Sequence, residues 1–258
     1  TGKPSKEEQK LCPHHLIDII DPDQNFTVGQ FFQQASELIN AIRQRKRIPL
    51  LVGGTALYFE SLAKGYTQLP VIDENIRQKT HEVYSSKGLL HLRQQLLLWD
   101  SRHEVLHPND TQRIIRAYNV YCQTKTAIYD FWENQTPQLS GQLICMQPSS
   151  REALNERILS RLDNMLENGL VEEVRSLIEK YPLTAGHNSM RCVGYKQTWQ
   201  YLHTEMSLDE LREKIFVATR QYAKRQVTWL NRWQEGNMAL VQEKQAKYAL
   251  AKAFEDMK

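Results

Sequence analysis

Two glycines followed by a threonine, Gly53-Gly54-Thr55, close the short apolar run Ile48–Val52. Glycine lets a backbone approach a ligand closely, and a threonine hydroxyl both donates and accepts hydrogen bonds. At a strand end such a turn can hold a reacting group; the same residues also suit an ordinary tight turn. Arginines supply a second kind of chemistry. Arg113 and Arg116, just after Gln112, lie three apart at a helix start, so their heads are neighbours that can clamp a phosphate or solvate a surface face. Cations at an N-terminus oppose the helix dipole, which favours the phosphate. Arg157 and Arg161, four apart beside Ile158 and Leu162, can reach one pyrophosphate from a helix side. Ion pairs with Glu156 or Asp163 would explain them equally well. Arg191-Cys192-Val193-Gly194-Tyr195-Lys196 is basic at both ends of a glycine, suited to wrapping a phosphate backbone or to opening a helix. From Arg220 to Trp233, arginine, lysine, glutamine and aromatic residues interleave at helical spacing. That mixture holds phosphates, bonds base edges and stacks bases, although Trp229 and Trp233 also suit a core.

These residues need elements to position them. Leu16 to Ile20 reads as a strand stopped by Asp21-Pro22, and Ile48 to Val52 as a buried strand. Between them a helix is expected, opened by the capping box Thr27–Gln30 and carrying Val28, Phe31, Phe32, Ala35, Leu38, Ile39 and Ile42 on one face. Arg43, Arg45, Lys46 and Arg47 sit at its C-terminus, where the dipole favours cations. Strand, helix, strand in this span predicts a parallel α/β unit, with ligands outside the strands' carboxyl ends. From Asp73 to about Gln135 the texture changes to short charged helices, one capped by Asp73 and ended by Gly88, one over Leu89–Leu98, one capped by Asn109 or Asp110. Trp132, Asn134 and Pro137 mark its tip. The expected domains are 1–72 with 138–258, a core, and 73–137, a helical insertion. A strand is predicted at Leu143–Met146. A helix capped by Ser149 and Glu152 follows, interrupted by Gly169 before another to Lys180. A long helix opens at the Ser207–Glu210 box, and a terminal amphipathic helix covers 239–258.

Composition sets the limits. The 258 residues are 41% hydrophobic and carry a formal net charge of +3, ordinary for a protein with a real core. No run approaches the ~20 apolar residues of a membrane span, so no membrane is expected. Charge is clustered: residues 212–232 hold six Lys/Arg against Glu213, which suits a polyanionic partner. The four cysteines form no Cys-x-x-Cys pair, which argues against a zinc framework and fits a reducing cytoplasm.

Taken together, four segments resemble the tRNA dimethylallyltransferase family, in order and over essentially the whole chain. They are His15-Leu16-Ile17-Asp18 with Asp21-Pro22; Pro49 to Tyr58; His107-Pro108-Asn109-Asp110-Thr111-Gln112-Arg113-Ile114-Ile115-Arg116; and Arg191 to Lys196 with the Arg220–Trp233 stretch. The resemblance implies an α/β fold, a P-loop-kinase-like parallel sheet core with a helical insertion domain. It implies transfer of a dimethylallyl group from dimethylallyl diphosphate to N6 of the adenosine 3′ of the tRNA anticodon, with Mg²⁺, by a bacterial-type cytoplasmic monomer. A base must leave its stack for such chemistry. By the same resemblance, Thr55 lies near the reacting amine, and Arg157 or Arg161 holds the diphosphate. Arg77, Gln112, Arg113, Ile114, Ile115, Arg116, Arg191, Cys192, Val193, Gly194, Tyr195, Lys196, Lys224, Arg225, Gln226, Val227, Thr228, Trp229, Leu230 and Asn231 contact tRNA.

The family's glycine-rich phosphate loop, and the Asp after it that serves as general base, have no match here. Thr1-Gly2-Lys3-Pro4 resembles a later family segment. The reading therefore expects one further strand-helix-strand unit of ~30–50 residues, and expects these 258 residues alone to bind tRNA weakly without transferring the prenyl group. A free-adenine-nucleotide isopentenyltransferase and a non-catalytic RNA-binding module are the alternatives.

Overall fold

Apolar residues at helical spacing dominate this sequence, and the chain folds mainly into helices. The computed structural model describes residues 2–132, 141–232 and 238–255. In order these form α1 (Lys6–Leu11), α2 (Val28–Gln44), α3 (Ala56–Lys64), α4 (Glu74–Trp99), α5 (Thr111–Thr124) and β1 (Leu143–Gln147). There follow α6 (Arg151–Glu167), α7 (Leu170–Lys180), α8 (Tyr195–His203), α9 (Leu208–Arg232), β2 (Met238–Gln242) and α10 (Glu243–Glu255). They divide into two compact units, residues 1–59 with 140–258, and residues 60–139. The smaller unit thus starts at residue 60, inside α3, where the sequence places the boundary at 73.

In the first unit, α2 begins where the capping box requires: the Thr27 hydroxyl accepts the Gln30 amide, and the Gln30 side chain accepts the Thr27 amide at 2.8 Å. The periodic residues face inward, with Ala35 and Ile39 fully buried. The core lies between α6, α7, α8 and α9, where Leu162, Leu170, Val174, Met190, Leu211 and Ile215 pack together. Gly169, at φ 85°, makes the turn between α6 and α7 that few other residues adopt without strain. β1 and β2 pair in parallel, Leu143 opposite Met238 through Gln147 opposite Gln242.

The α/β expectation needs correction at several points. Neither 16–20 nor 48–52 is a strand. A strand exists only as part of a ladder, and among the described residues none lies beside these segments. Leu16 and Asp18 have φ of 60° and 53°, which breaks an extended run, while Leu50 and Val52 are 58% and 81% exposed. The described sheet is the two-stranded β1–β2 pair. Residues 239–242, expected in the terminal helix, belong to strand β2 (Met238–Gln242) and pair with β1 instead, and the helix starts at Glu243; a ladder partner overrides local helical periodicity. The cap of α6 is Ser150, whose Oγ accepts the Ala153 amide at 3.1 Å, not Ser149, because the helix begins at Arg151.

The second unit packs α4 against α5 around Leu92, Leu96, Ile114, Ala117 and Val120. Asp73 caps α4 by accepting the Asn75 amide at 2.8 Å. Gly88 breaks that helix at φ 79°, ψ 173°. Gln123 of α5 fixes the approach to α4, donating to the Val71 carbonyl at 2.6 Å and accepting the Asp73 amide at 2.8 Å. Trp99 stacks on Tyr121, centroids 4.3 Å apart. Trp132 is 43% exposed; Asn134 and Pro137 lie outside the described residues.

Candidate functional site

The Gly53-Gly54-Thr55 turn runs directly into α3. The Thr55 carbonyl accepts the Tyr58 amide at 3.0 Å, closing the first helical turn. Tyr58 stacks on Phe31 of α2, centroids 4.1 Å apart and planes within 7°, and meets Phe26 edge-on. Burial raises the Tyr58 pKa above its ordinary value. This aromatic contact fixes the start of α3, and so the turn, against α2. Thr55 itself is exposed.

The other side of the turn meets α9. The Gln226 amide donates to the Gly54 carbonyl at 3.0 Å across 172 residues of sequence. A Cβ on Gly54 would meet that same amide group, the far end of the Gln226 side chain, and push it aside. Around Gln226, Lys224, Arg225, Thr228 and Asn231 are exposed, whereas Val227, Trp229 and Leu230 are half-buried. The Arg225 guanidinium lies over the Tyr222 ring, and the Thr228 hydroxyl donates to the Lys224 carbonyl at 2.9 Å. Trp233 lies outside the described residues.

Arg191 to Lys196 forms a second surface. Gly194, at φ 94°, opens α8; its amide donates to Gln197 at 2.9 Å and its carbonyl accepts the Thr198 hydroxyl at 2.9 Å. Tyr195 donates to Glu173; burial, reinforced by that carboxylate, raises the phenol's pKa. Burial also pushes the Cys192 thiol up, and its Sγ donates to the Asn188 carbonyl. Arg191, Val193 and Lys196 are exposed and Gly194 is buried. The preceding loop is sewn to Asp21–Asn25: Tyr181 donates to Asp21, Asn188 to Asn25 and Ser189 to the Pro22 carbonyl, each at 2.6 Å. Asp21-Pro22 and Arg191–Lys196 are thereby held on one framework.

Arg157 and Arg161 are both exposed on α6. Arg161 donates to the Gly2 carbonyl at 3.2 Å. Asp163, offered by the sequence as an alternative partner for these arginines, takes a forked contact from Arg212 of α9, at 2.6 and 2.9 Å, which lowers its pKa.

The second unit carries its own cations. Arg113 is exposed and pairs with Asp110. The Asp110 carboxyl is held below its usual range by the Arg113 amide first and the guanidinium second. Arg116 differs: it is half-buried, and among the described residues no carboxylate pairs with it. Burial lowers its pKa; Tyr66 opposes this, and the Arg77 charge adds to it. Arg77 and Arg116 therefore lie within electrostatic reach of each other, and among the described residues Glu74, 3.6 Å from Arg77, is the one carboxylate paired with either. Gln112 is exposed and Ile115 half-buried. Ile114 is 0% exposed and belongs to the core, so its side chain is closed to RNA. In a helix packed on one side, every third or fourth position of a motif faces inward.

The family model described as IPP transferase matches residues 1–233. The chain belongs to the IPP transferase family. A tRNA dimethylallyltransferase from Coxiella burnetii (strain CbuG_Q212) is 40% identical over 237 residues, covering 90% of this chain and 79% of the relative. One from Legionella pneumophila (strain Lens) is 42% identical over 237 residues, covering 91% and 76%. Among solved structures, the tRNA isopentenylpyrophosphate transferase of Bacillus halodurans superposes with a TM-score of 0.60 at 31% identity, covering 93% of this chain and 75% of that one. A eukaryotic dimethylallyltransferase acting on tRNA gives a TM-score of 0.81 at 24% identity, over 99% of this chain and 69% of that one, a likeness of fold.

In this IPP transferase family chain, folding joins residues that sequence spacing leaves separate. Gly54 meets Gln226, and Asp21-Pro22 meets the loop before Arg191. Local reading missed Glu173 beneath Tyr195 and Tyr181 beneath Asp21, because both contacts are made between distant elements and leave no periodic signal.

Proposed function

We propose that the protein to which this chain belongs transfers a dimethylallyl group from dimethylallyl diphosphate to N6 of the adenosine 3′-adjacent to the tRNA anticodon, acting as a cytoplasmic monomer. The reading is carried by the meeting of the Gly53-Gly54-Thr55 turn with basic α9, in a chain of the IPP transferase family. The N6 nitrogen attacks the allylic carbon, the carbon–oxygen bond to the diphosphate breaks, pyrophosphate leaves and N6 gives up a proton to water. Thr55, exposed at the turn, orients the amine through its hydroxyl. Arg157 and Arg161, exposed on one face of α6, offer charge to the leaving diphosphate, where fixed cations stabilise developing negative charge. Lys224, Arg225 and Asn231, the Arg191–Lys196 loop, and Arg77, Gln112, Arg113 and Arg116 offer cations and donors to RNA phosphates and base edges.

The P-loop-kinase-like core belongs to the same proposal; its support is the parallel β1–β2 pair linked through helices. Mg²⁺ is the expected companion of the reaction. Among the described residues no three His, Cys, Asp or Glu side chains gather where an ion could be held, so no step is assigned to a metal. No described helix is long and apolar enough to cross a membrane.

The test is transfer from labelled dimethylallyl diphosphate to three acceptors: an anticodon stem-loop, the same stem-loop with guanosine replacing that adenosine, and AMP. Label on the first alone is expected. Label on AMP would make the protein an adenine-nucleotide enzyme, and RNA binding with no transfer by the full protein would make it a binding module.

A further inference from the structure

Gln226 stands among residues expected to touch RNA, and its amide already makes one bond within the protein. It donates at 3.0 Å to the Gly54 carbonyl, and that carbonyl belongs to the peptide unit that carries the Thr55 amide. With two glycines in succession, this peptide has little steric restraint of its own: Gly53 and Gly54 lack the Cβ that confines other residues. A hydrogen bond from a rigid helix supplies the missing restraint. The opposite face of the turn is fixed by the Thr55–Tyr58 backbone bond and the Tyr58–Phe31 stack, so Thr55 is held from two directions. The Gly54 side of the contact is equally specific, because a Cβ there would occupy the space of the Gln226 amide.

Resting on the function proposed above, we infer that Gln226 is a positioning residue for the reaction and not an RNA contact. Its amide locks the Gly54–Thr55 peptide and sets the direction of the Thr55 hydroxyl. Because Lys224, Arg225 and Asn231 flank it on the exposed surface of α9, RNA seated on those side chains and the turn that carries Thr55 share one rigid element.

The experiment uses the full protein with Gln226→Glu, Gln226→Ala and Gln226→Asn. Glutamate keeps the shape but loses the donor; asparagine keeps the amide but is one methylene short. Each should lower single-turnover transfer at saturating tRNA and donor by about tenfold, the scale of a modest misplacement. Affinity for tRNA should stay within about twofold, the mark of an interaction that serves the transition state alone. A separate arm needs no catalysis. Gly54→Ala should lower the melting temperature, and Gly54→Ala combined with Gln226→Ala should recover part of the loss, because the new methyl takes the vacated space. Additive melting shifts, or a saturated rate within about twofold of the parent with weakened tRNA binding, would overturn the inference. Failure of the parent to prenylate tRNA would overturn the functional reading instead, and the melting arm would still decide whether the tie exists.

Discussion

Thr55 is exposed at the head of α3, and among the described residues nothing bonds its hydroxyl. Its backbone is committed while its side chain is available, which suits a group that acts on a substrate. Thr55→Ala should therefore reduce turnover by about 10–100-fold, with tRNA affinity nearly unchanged. Single-turnover transfer at saturating RNA measures it, and an undiminished rate would remove the role. A different residue governs acid sensitivity. His103 is fully buried, neither ring nitrogen has a partner among the described residues, and its ring lies 4.9 Å from Tyr129. Burial pushes its pKa below the ordinary 6.5; Asp100 opposes the shift and Arg102 adds to it. The unfolded chain therefore takes up this proton first. The stability present above pH 6.5 declines as pH falls towards the folded value. Asp100 and Asp110, both lowered from 3.8, titrate outside that window. Melting curves between about pH 7 and 5 should show the decline in the parent and a much weaker one in His103→Leu, which leaves no buried base to protonate.

At the scale of elements, the signals that spoke were local ones. The Thr27–Gln30 and Ser207–Glu210 boxes, the Asp73 cap and the Gly88 and Gly169 breaks act through residues a few positions apart, and the structure has them where the spacing puts them. Strands at 16–20 and 48–52 were misread because a short apolar run cannot announce whether a neighbour will pair with it. Gly88 makes the local case measurable. It adopts φ 79°, ψ 173°, a region open almost only to glycine, yet a Cβ there would touch nothing within 4 Å. Gly88→Ala is thus a purely conformational probe, expected to cost about 1–3 kcal/mol. Denaturant titration should shift the midpoint with an unchanged slope; an unshifted midpoint would mean that α4 relaxes around the break.

For the whole molecule, a net charge of +3 hides an uneven surface. The basic clusters were legible as residue types, but not which cations are already neutralised. Arg113 has Asp110, and Arg212 has Asp163, whereas Arg116 sits half-buried near Arg77. Arg116→Ala should flatten the log–log salt dependence of tRNA binding by about 0.7–0.9, one phosphate contact. Arg113→Ala should change it less, because Asp110 competes for that guanidinium. Filter binding over a salt series distinguishes the two, and equal slopes would show that the Asp110 pair opens when RNA arrives. The parallel register of β1 with β2 also bears on how the chain is made. Leu143 must wait for Met238, and a ribosome adding about 5–20 residues per second needs roughly 5–20 s to deliver the intervening ~95 residues. During that interval β1 lacks its β2 partner on the nascent chain. Slowing translation across this span is therefore expected to lower the yield of folded protein, because β1 waits longer for its β2 partner.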